Sequence, residues 1–323
     1  MVTIAAVSAL LVLGLWISAA ARAQEPQQPP PAPAQTQPAP SPPQPGQPQS
    51  GQPQAAQPDA APPSSQPVQI PALPADSVLV PNRATYDMKL AVARPNSGIV
   101  EVNGNMVLEM VDSCDAWETR QRIKLTFLRS DGEEFETDSS FISYETKDGL
   151  QLRFSVRNVQ NDEVEEELRG SADLDSLGGK GRASFTLPEA RSFELPAGTL
   201  FPTTHLALVL KHARDGDKTV SYKVFDGARL DGAFLVNAVI GRPSRSRSGT
   251  PSIRGDVALL RNQPAWGVRF AFFANGDQGA QPEYELALDL LGNGIARSML
   301  LDYGDFAVDA HLAQIQALPR PKC

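Results

Sequence analysis

Beyond residue 77 apolar and polar positions alternate with a period of two. In "LQLRFSV" (150–156) Leu150, Leu152, Phe154 and Val156 fall on one face, and Gln151, Arg153 and Ser155 on the other. "YELALDL" (284–290), "NMVLEMV" (105–111) and "FAVDAHL" (306–312) behave alike. This is the signal of half-buried antiparallel strands. One dry and one wet face suit a sheet curled around a single core. Between the runs, Asn103-Gly104, Asp131-Gly132, Asp148-Gly149, Asp226-Gly227, Asp231-Gly232 and Asn293-Gly294 predict tight hairpins or short loops, because these residues tolerate positive φ.

One segment departs from alternation. In "FPTTHLALVLKHARDG" (201–216), Leu206, Val209, Leu210 and Ala213 recur at helical spacing. Thr203 or Thr204 is the expected cap, Lys211 and Arg214 suit the last turn, and Gly216 ends it. The prediction is a mainly β domain: one antiparallel, barrel-like sheet with a single amphipathic helix against its open or concave side. The helix divides the strands into two sets. "SRSRSGTPSIRG" (244–255) reads as a flexible basic loop.

The N-terminus changes the picture. An apolar run from Ile4 to Ala21 precedes the small-residue pattern "ARA", so residues 1–23 read as a signal peptide with a mature start at Gln24. The run is nearly long enough to cross a bilayer, so an uncleaved N-terminal membrane anchor is the competing reading. Residues 24–76 hold 18 of the 29 prolines, with much Gln and Ala. Such a stretch cannot bury a core and reads as a disordered linker of polyproline II character. Residues 77–323 form the expected folded domain. Without leader and linker, 28 Lys and Arg face 34 Asp and Glu, a balance that argues against nucleic acid as a partner.

Chemistry is sparse. His205 and His212 share a helix face two turns apart, too far for one ion to take both directly, and His311 lies in a strand. No HxxxH, CxxC or GxSxG occurs. "GGKG" (178–181) lacks the flanking strand and helix of a phosphate loop and reads as a turn. "EVEEEL" (163–168) reads as a solvated strand edge, and "LDYGDF" (301–306) as a hairpin corner. No catalytic residue, cofactor site or metal site emerges.

Two cysteines remain, Cys114 in "VDSCDAW" and the terminal Cys323. An exported chain meets an oxidising compartment, where two thiols tend to pair. A Cys114–Cys323 disulfide would tie a fraying tail to an early turn. The residues alone leave an intermolecular bridge or a redox-active thiol as alternatives.

Six motifs in order, "LVPNRATYDMKLA" (79–91), "NSGIVEVNGNMVLEM" (96–110), "GTLFPTTHLALVL" (198–210), "VFDG" (224–227), "AVIGRP" (238–243) and "MLLDYGDF" (299–306), resemble the EipB family of bacterial cell-envelope-integrity proteins. Both cysteines fall where that family places a pair. The resemblance implies a monomeric periplasmic β-spiral with an internal disulfide, an envelope-integrity role, and no established catalytic activity. The expected function is therefore non-enzymatic, through binding an envelope protein or a lipid or peptide ligand. The alternative is a periplasmic lipid or lipoprotein carrier, and an envelope hydrolase is the third class.

Overall fold

The computed structural model describes residues 70–71, 79–95, 97–245, 253–274 and 281–323. The expected signal peptide, nearly all of the expected linker and most of the basic stretch 244–255 lie outside the described residues.

Eight strands follow one another as an antiparallel meander: β1 (Asn82–Ala93), β2 (Ile99–Asp112), β3 (Ala116–Arg129), β4 (Glu134–Thr146), β5 (Gln151–Gln160), β6 (Glu163–Leu174), β7 (Gly181–Leu187) and β8 (Arg191–Leu195). The two-residue β9 (Thr199–Leu200) leads into helix α1 (Pro202–Asp215). The second series is β10 (Thr219–Val224), β11 (Phe234–Ile240), the short β12 (Ser244–Arg245) and β13 (Arg254–Gly255), then β14 (Pro264–Phe273), β15 (Tyr284–Leu291), β16 (Ala296–Asp302) and β17 (Phe306–Ala317). The helix divides the two series as the periodicity predicts.

The ends of the chain meet in the sheet. β17 pairs antiparallel with β1 from Asn82↔Ala317 to Ala93↔Phe306, and β1 pairs on its other side with β2. At the far side β9 joins β10 in parallel through Lys223↔Thr199 and Val224↔Leu200. The ladder of β8 runs to β7, so the curled sheet comes almost to closure and opens between β8 and β10. Antiparallel pairing is general except at β9–β10 and at the short β13–β17 contact.

Alternation sets the faces. Leu152, Phe154 and Val156 are buried while Gln151 and Arg153 are exposed, and Tyr284, Leu286, Leu288 and Leu290 all point inward. The interior is not a single core, however. A large cluster includes Met106, Phe127, Phe270 and Leu286. A smaller one holds Phe141, Phe154, Phe185, Phe201 and Phe225. Buried polar residues, among them Thr119, Gln121, Thr137, Ser139 and Ser143, line the inner face of β3 and β4. Period two decides which residues turn inward, and polar ones at inward positions keep the apolar side chains from merging.

Helix α1 is deeper than an amphipathic surface helix. Its buried residues, Pro202, Thr203, Thr204, His205, Leu206, Leu208, Val209, Leu210 and Ala213, surround it through its first turns, and only its C-terminal end is exposed. It fills the barrel because almost every side chain that would face solvent is apolar or small. Neither threonine caps it: Phe201 is the N-cap and makes no side-chain cap bond. Gly216 ends it at φ 89°, as expected.

Asn103-Gly104 is not a hairpin but lies inside β2. A β-carbon on Gly104 would stand 2.0 Å from the Lys124 carbonyl oxygen, so the glycine permits close approach of the β3 backbone. Gly104→Ala must push β2 and β3 apart, and we expect a loss of about 2 kcal/mol by chemical denaturation. An unchanged midpoint would contradict the packing. Asp131-Gly132, Asp148-Gly149 and Asn293-Gly294 do sit in turns, each glycine at positive φ. The β6 segment of "EVEEEL" precedes the start of the β7 ladder at Arg169, so it is a one-sided edge. The ends of the 244–255 stretch are not loop: β12 pairs with β14 and β13 with β17. Ile70 packs against the large cluster, seven residues before the expected domain start.

Candidate functional site

Cys114 sits in the turn between β2 and β3, at φ 64°. The Asp112 carboxylate fixes that turn, accepting from the Cys114 N–H at 3.0 Å and from Lys147 Nζ at 2.6 Å. Beyond β17 the Leu318 N–H donates to the Pro81 carbonyl at 3.2 Å. The tail thus passes the start of β1 and ends in a Cys114–Cys323 disulfide with a Cα–Cα distance of 5.8 Å. The bond therefore straps three neighbouring strands, β17, β1 and β2, where the two ends of the chain are paired. No free cysteine remains.

A second fastening lies inside. Glu145, on the inward face of β4, is 1% exposed. Its carboxylate accepts from the backbone N–H groups of Thr203 and Thr204 at 2.6 and 2.7 Å. These are orphan donors of the first turn of α1, and the carboxylate sits at the positive end of the helix dipole. Burial pushes the Glu145 pKa up, against those hydrogen bonds, which pull it down.

The histidines do not converge. His205 is buried against the rings of Tyr222 and Phe270. Burial lowers its pKa to about 4, so it is neutral at ordinary pH. His212 bridges Asp217 and Tyr222 at 2.7 Å on each side, tying the end of α1 to β10. His311 is exposed on β17. Among the described residues no three His, Cys, Asp or Glu side chains are grouped to hold a metal ion.

Asp226, after β10, is a second buried acid. Its Oδ1 accepts from the Ala228 N–H at 2.8 Å, and its Oδ2 is buried without a partner. Burial raises its pKa to about 7, opposed by the Ala228 bond and by Arg229. The unfolded chain gives up this proton first as pH rises. Stability from this group is therefore complete below the unfolded value, falls through the interval up to about 7 and is flat above. The three-unit interval corresponds to about 4 kcal/mol. Asp226→Asn keeps the Oδ1 acceptor but leaves an amide N–H buried, which returns about 2 kcal/mol. We expect the variant to be more stable than wild type by about 2 kcal/mol at pH 8, with that advantage vanishing by pH 5. Denaturant titrations at both pH values check this, and a difference independent of pH would contradict it.

Described residues form several recesses. One, of about 30 Å³, lies between α1 and the sheet, bounded by Tyr86, Met110, Leu206, Leu288, Ile295 and Met299. It is apolar, and the Tyr86 hydroxyl at its wall donates to the Ala296 carbonyl. Another, of about 380 Å³, is a polar recess beside Lys124, Glu136 and Arg157. A third, also of about 380 Å³, is a groove at the opening of the sheet, between β8 and the β10–β11 hairpin, and approaches the size of a pocket for a small ligand or a few peptide residues. Alternation could not reveal it, because it exists where a ladder stops.

A model of the EipB-like family matches residues 74–319. The chain is 29% identical over 240 residues to the cell envelope integrity protein EipB of Brucella abortus, covering 73% of this chain and 84% of that protein. A solved structure from Brucella abortus, a β-barrel-like protein of a domain of unknown function, superposes with a TM-score of 0.69 at 29% identity, over 75% of this chain and 99% of that one. The matched span runs from just before β1 to just past β17, so strands, internal helix and Cys114 all fall within it. The chain belongs to the EipB-like family.

Proposed function

We propose that this protein maintains the integrity of the cell envelope from the periplasm, without catalysis, by holding a partner. The observation that carries the reading is the family match across the whole sheet, together with a relative named for envelope integrity. The disulfide supports an oxidising compartment. The use of its buried titratable groups supports binding over turnover: Glu145 caps a helix, and His212 ties α1 to β10. The partner is an envelope protein or a lipid or peptide ligand, taken up by a monomer.

The test is deletion of the gene in the encoding bacterium. The expected result is sensitivity to detergent and to cell-wall antibiotics, restored by the gene in trans. Full resistance in the deletion strain would overturn the envelope role. Turnover of fluorogenic ester, glycoside or peptide substrates by the purified protein would overturn the non-enzymatic one. A second reading, a lipid or lipoprotein carrier, is favoured by the apolar recess beside Leu206. At about 30 Å³ that recess admits about one water-sized group, so a carrier must widen it by moving α1. Native mass spectrometry of the protein taken from the periplasm should then show bound lipid, and its absence counts against the carrier.

A further inference from the structure

We propose that the groove between β8 and the β10–β11 hairpin is a docking site for an extended, acidic polypeptide segment, which adds to the free edge of β8. The proposal rests on the binding role above and names its site and the partner's chemistry.

Three observations carry it. The first is the edge. β8 is paired with β7 through Gly181↔Leu195 to Phe185↔Arg191, and among the described residues no strand register uses its other side. An unpaired edge presents backbone donors and acceptors at strand spacing and is a ready template for another strand. The second is the shape. The groove holds about 380 Å³ and has apolar contacts from Phe193 and Leu230. Phe193 is half-buried and packs on Phe185 and Phe225, so it is a rigid anchor rather than a loose side chain. Gly232, on the opposite wall, faces Phe193: its β-carbon position lies at ordinary contact distance, 3.6 Å, from that ring.

The third is charge. Both acids at the groove are already paired within the domain, Glu194 with Arg182 and Asp231 with Arg229, which it shares with Glu283. The cations are not. Arg191 makes no ion pair among the described residues, and Lys223 reaches only the Ala197 carbonyl, at 3.5 Å. With Glu283 counted, four cations face three acids around the groove, so its excess charge is one positive, in a chain whose net charge is −8. A carboxylate entering here gains two partners, while a lysine in its place meets two like charges. The arrangement fits an alternating apolar segment that carries an acidic side chain.

The test uses the purified full chain and two fluorescein-labelled peptides, T-V-D-V-T-V and T-V-K-V-T-V, followed by fluorescence anisotropy. The expected result is micromolar binding of the Asp peptide and at least about tenfold weaker binding of the Lys peptide. N-methylation of alternate peptide residues should abolish binding, because it removes the ladder donors without touching the protein. The Arg191→Glu/Lys223→Glu variant should reverse the preference with its melting temperature unchanged. The single charge reversals provide the same readout at half the perturbation. Equal affinity for the two peptides, survival of binding after N-methylation, indifference to the charge reversals, or no binding at millimolar peptide would each overturn the proposal. A deletion strain that is envelope-sensitive alongside such a result would reject this site while leaving the envelope role standing.

Discussion

Replacing Cys323 by serine is expected to lower the melting temperature by roughly 10 °C. Cys114 and Cys323 are 209 residues apart, so their bond closes nearly the entire folded chain. Chain-entropy reasoning assigns a loop of that length about 5 kcal/mol, an upper figure because denatured chains retain some structure. In a domain of this size each kcal/mol moves the midpoint by about 2–4 °C. The local geometry adds to the effect. The bond crosses the β17–β1–β2 seam, and β1–β17 is the pairing with the largest sequence separation in the sheet. Without the bond the tail beyond Ala317 is held by the Leu318–Pro81 hydrogen bond and the Ala317 N–H donated to Asp256, and β17 can peel from β1 at that end. Limited proteolysis should therefore cut the variant near its C-terminus before elsewhere. Cys114→Ser should behave alike, and the double variant should be no worse than either single one, because all three remove the same constraint. Equal midpoints for wild type and Cys323→Ser under oxidising conditions would show that the seam holds itself.

Most of this architecture is written in period two. Strands such as β5 and β15 are legible because every second residue is apolar and the turns between them carry Asp-Gly or Asn-Gly. The helix is legible from Leu206, Val209, Leu210 and Ala213. What alternation cannot report is which inward residues meet. Gly104 shows this on a small scale: Asn-Gly serves a hairpin and a crowded strand equally well, and only the neighbour at Lys124 tells them apart. The division of the interior into two clusters has the same origin, since it depends on which strands face each other across the barrel. The groove beside β8 is invisible for a further reason. Nothing in "RSFEL" states that the next strand in space will be absent on one side. Arg191 and Lys223, which make no ion pair among the described residues, line one groove only because the sheet curls far enough to bring β8 towards β10 without completing the ladder.

Glu145 joins these two kinds of information. By alternation with Phe141 and Ser143 it belongs to the inner face of β4, so its burial follows from the sequence. Its partners, 58 and 59 residues away on α1, do not. Glu145→Ala leaves two buried N–H groups without acceptors, at about 1–3 kcal/mol each, and removes a negative charge from the helix N-terminus. The expected loss is about 4 kcal/mol, with α1 loosened inside the barrel. Glu145→Gln separates the contributions. Its amide oxygen can serve one donor, while its NH2 faces the other as a second donor, so it should lose about half as much. The Phe201–Leu206 stretch links the two clusters, with Phe201 in the smaller and Leu206 in the larger. Loosening its first turn should therefore raise amide exchange at β10 and β11, whose inward residues lie in the larger cluster and whose connecting segment lies in the smaller, more than in the β2–β3 hairpin. Denaturant titration and hydrogen exchange on the two variants check this. A Glu145→Ala protein as stable as wild type, with unchanged exchange in α1, would mean that packing alone seats the helix and that the carboxylate is a passenger.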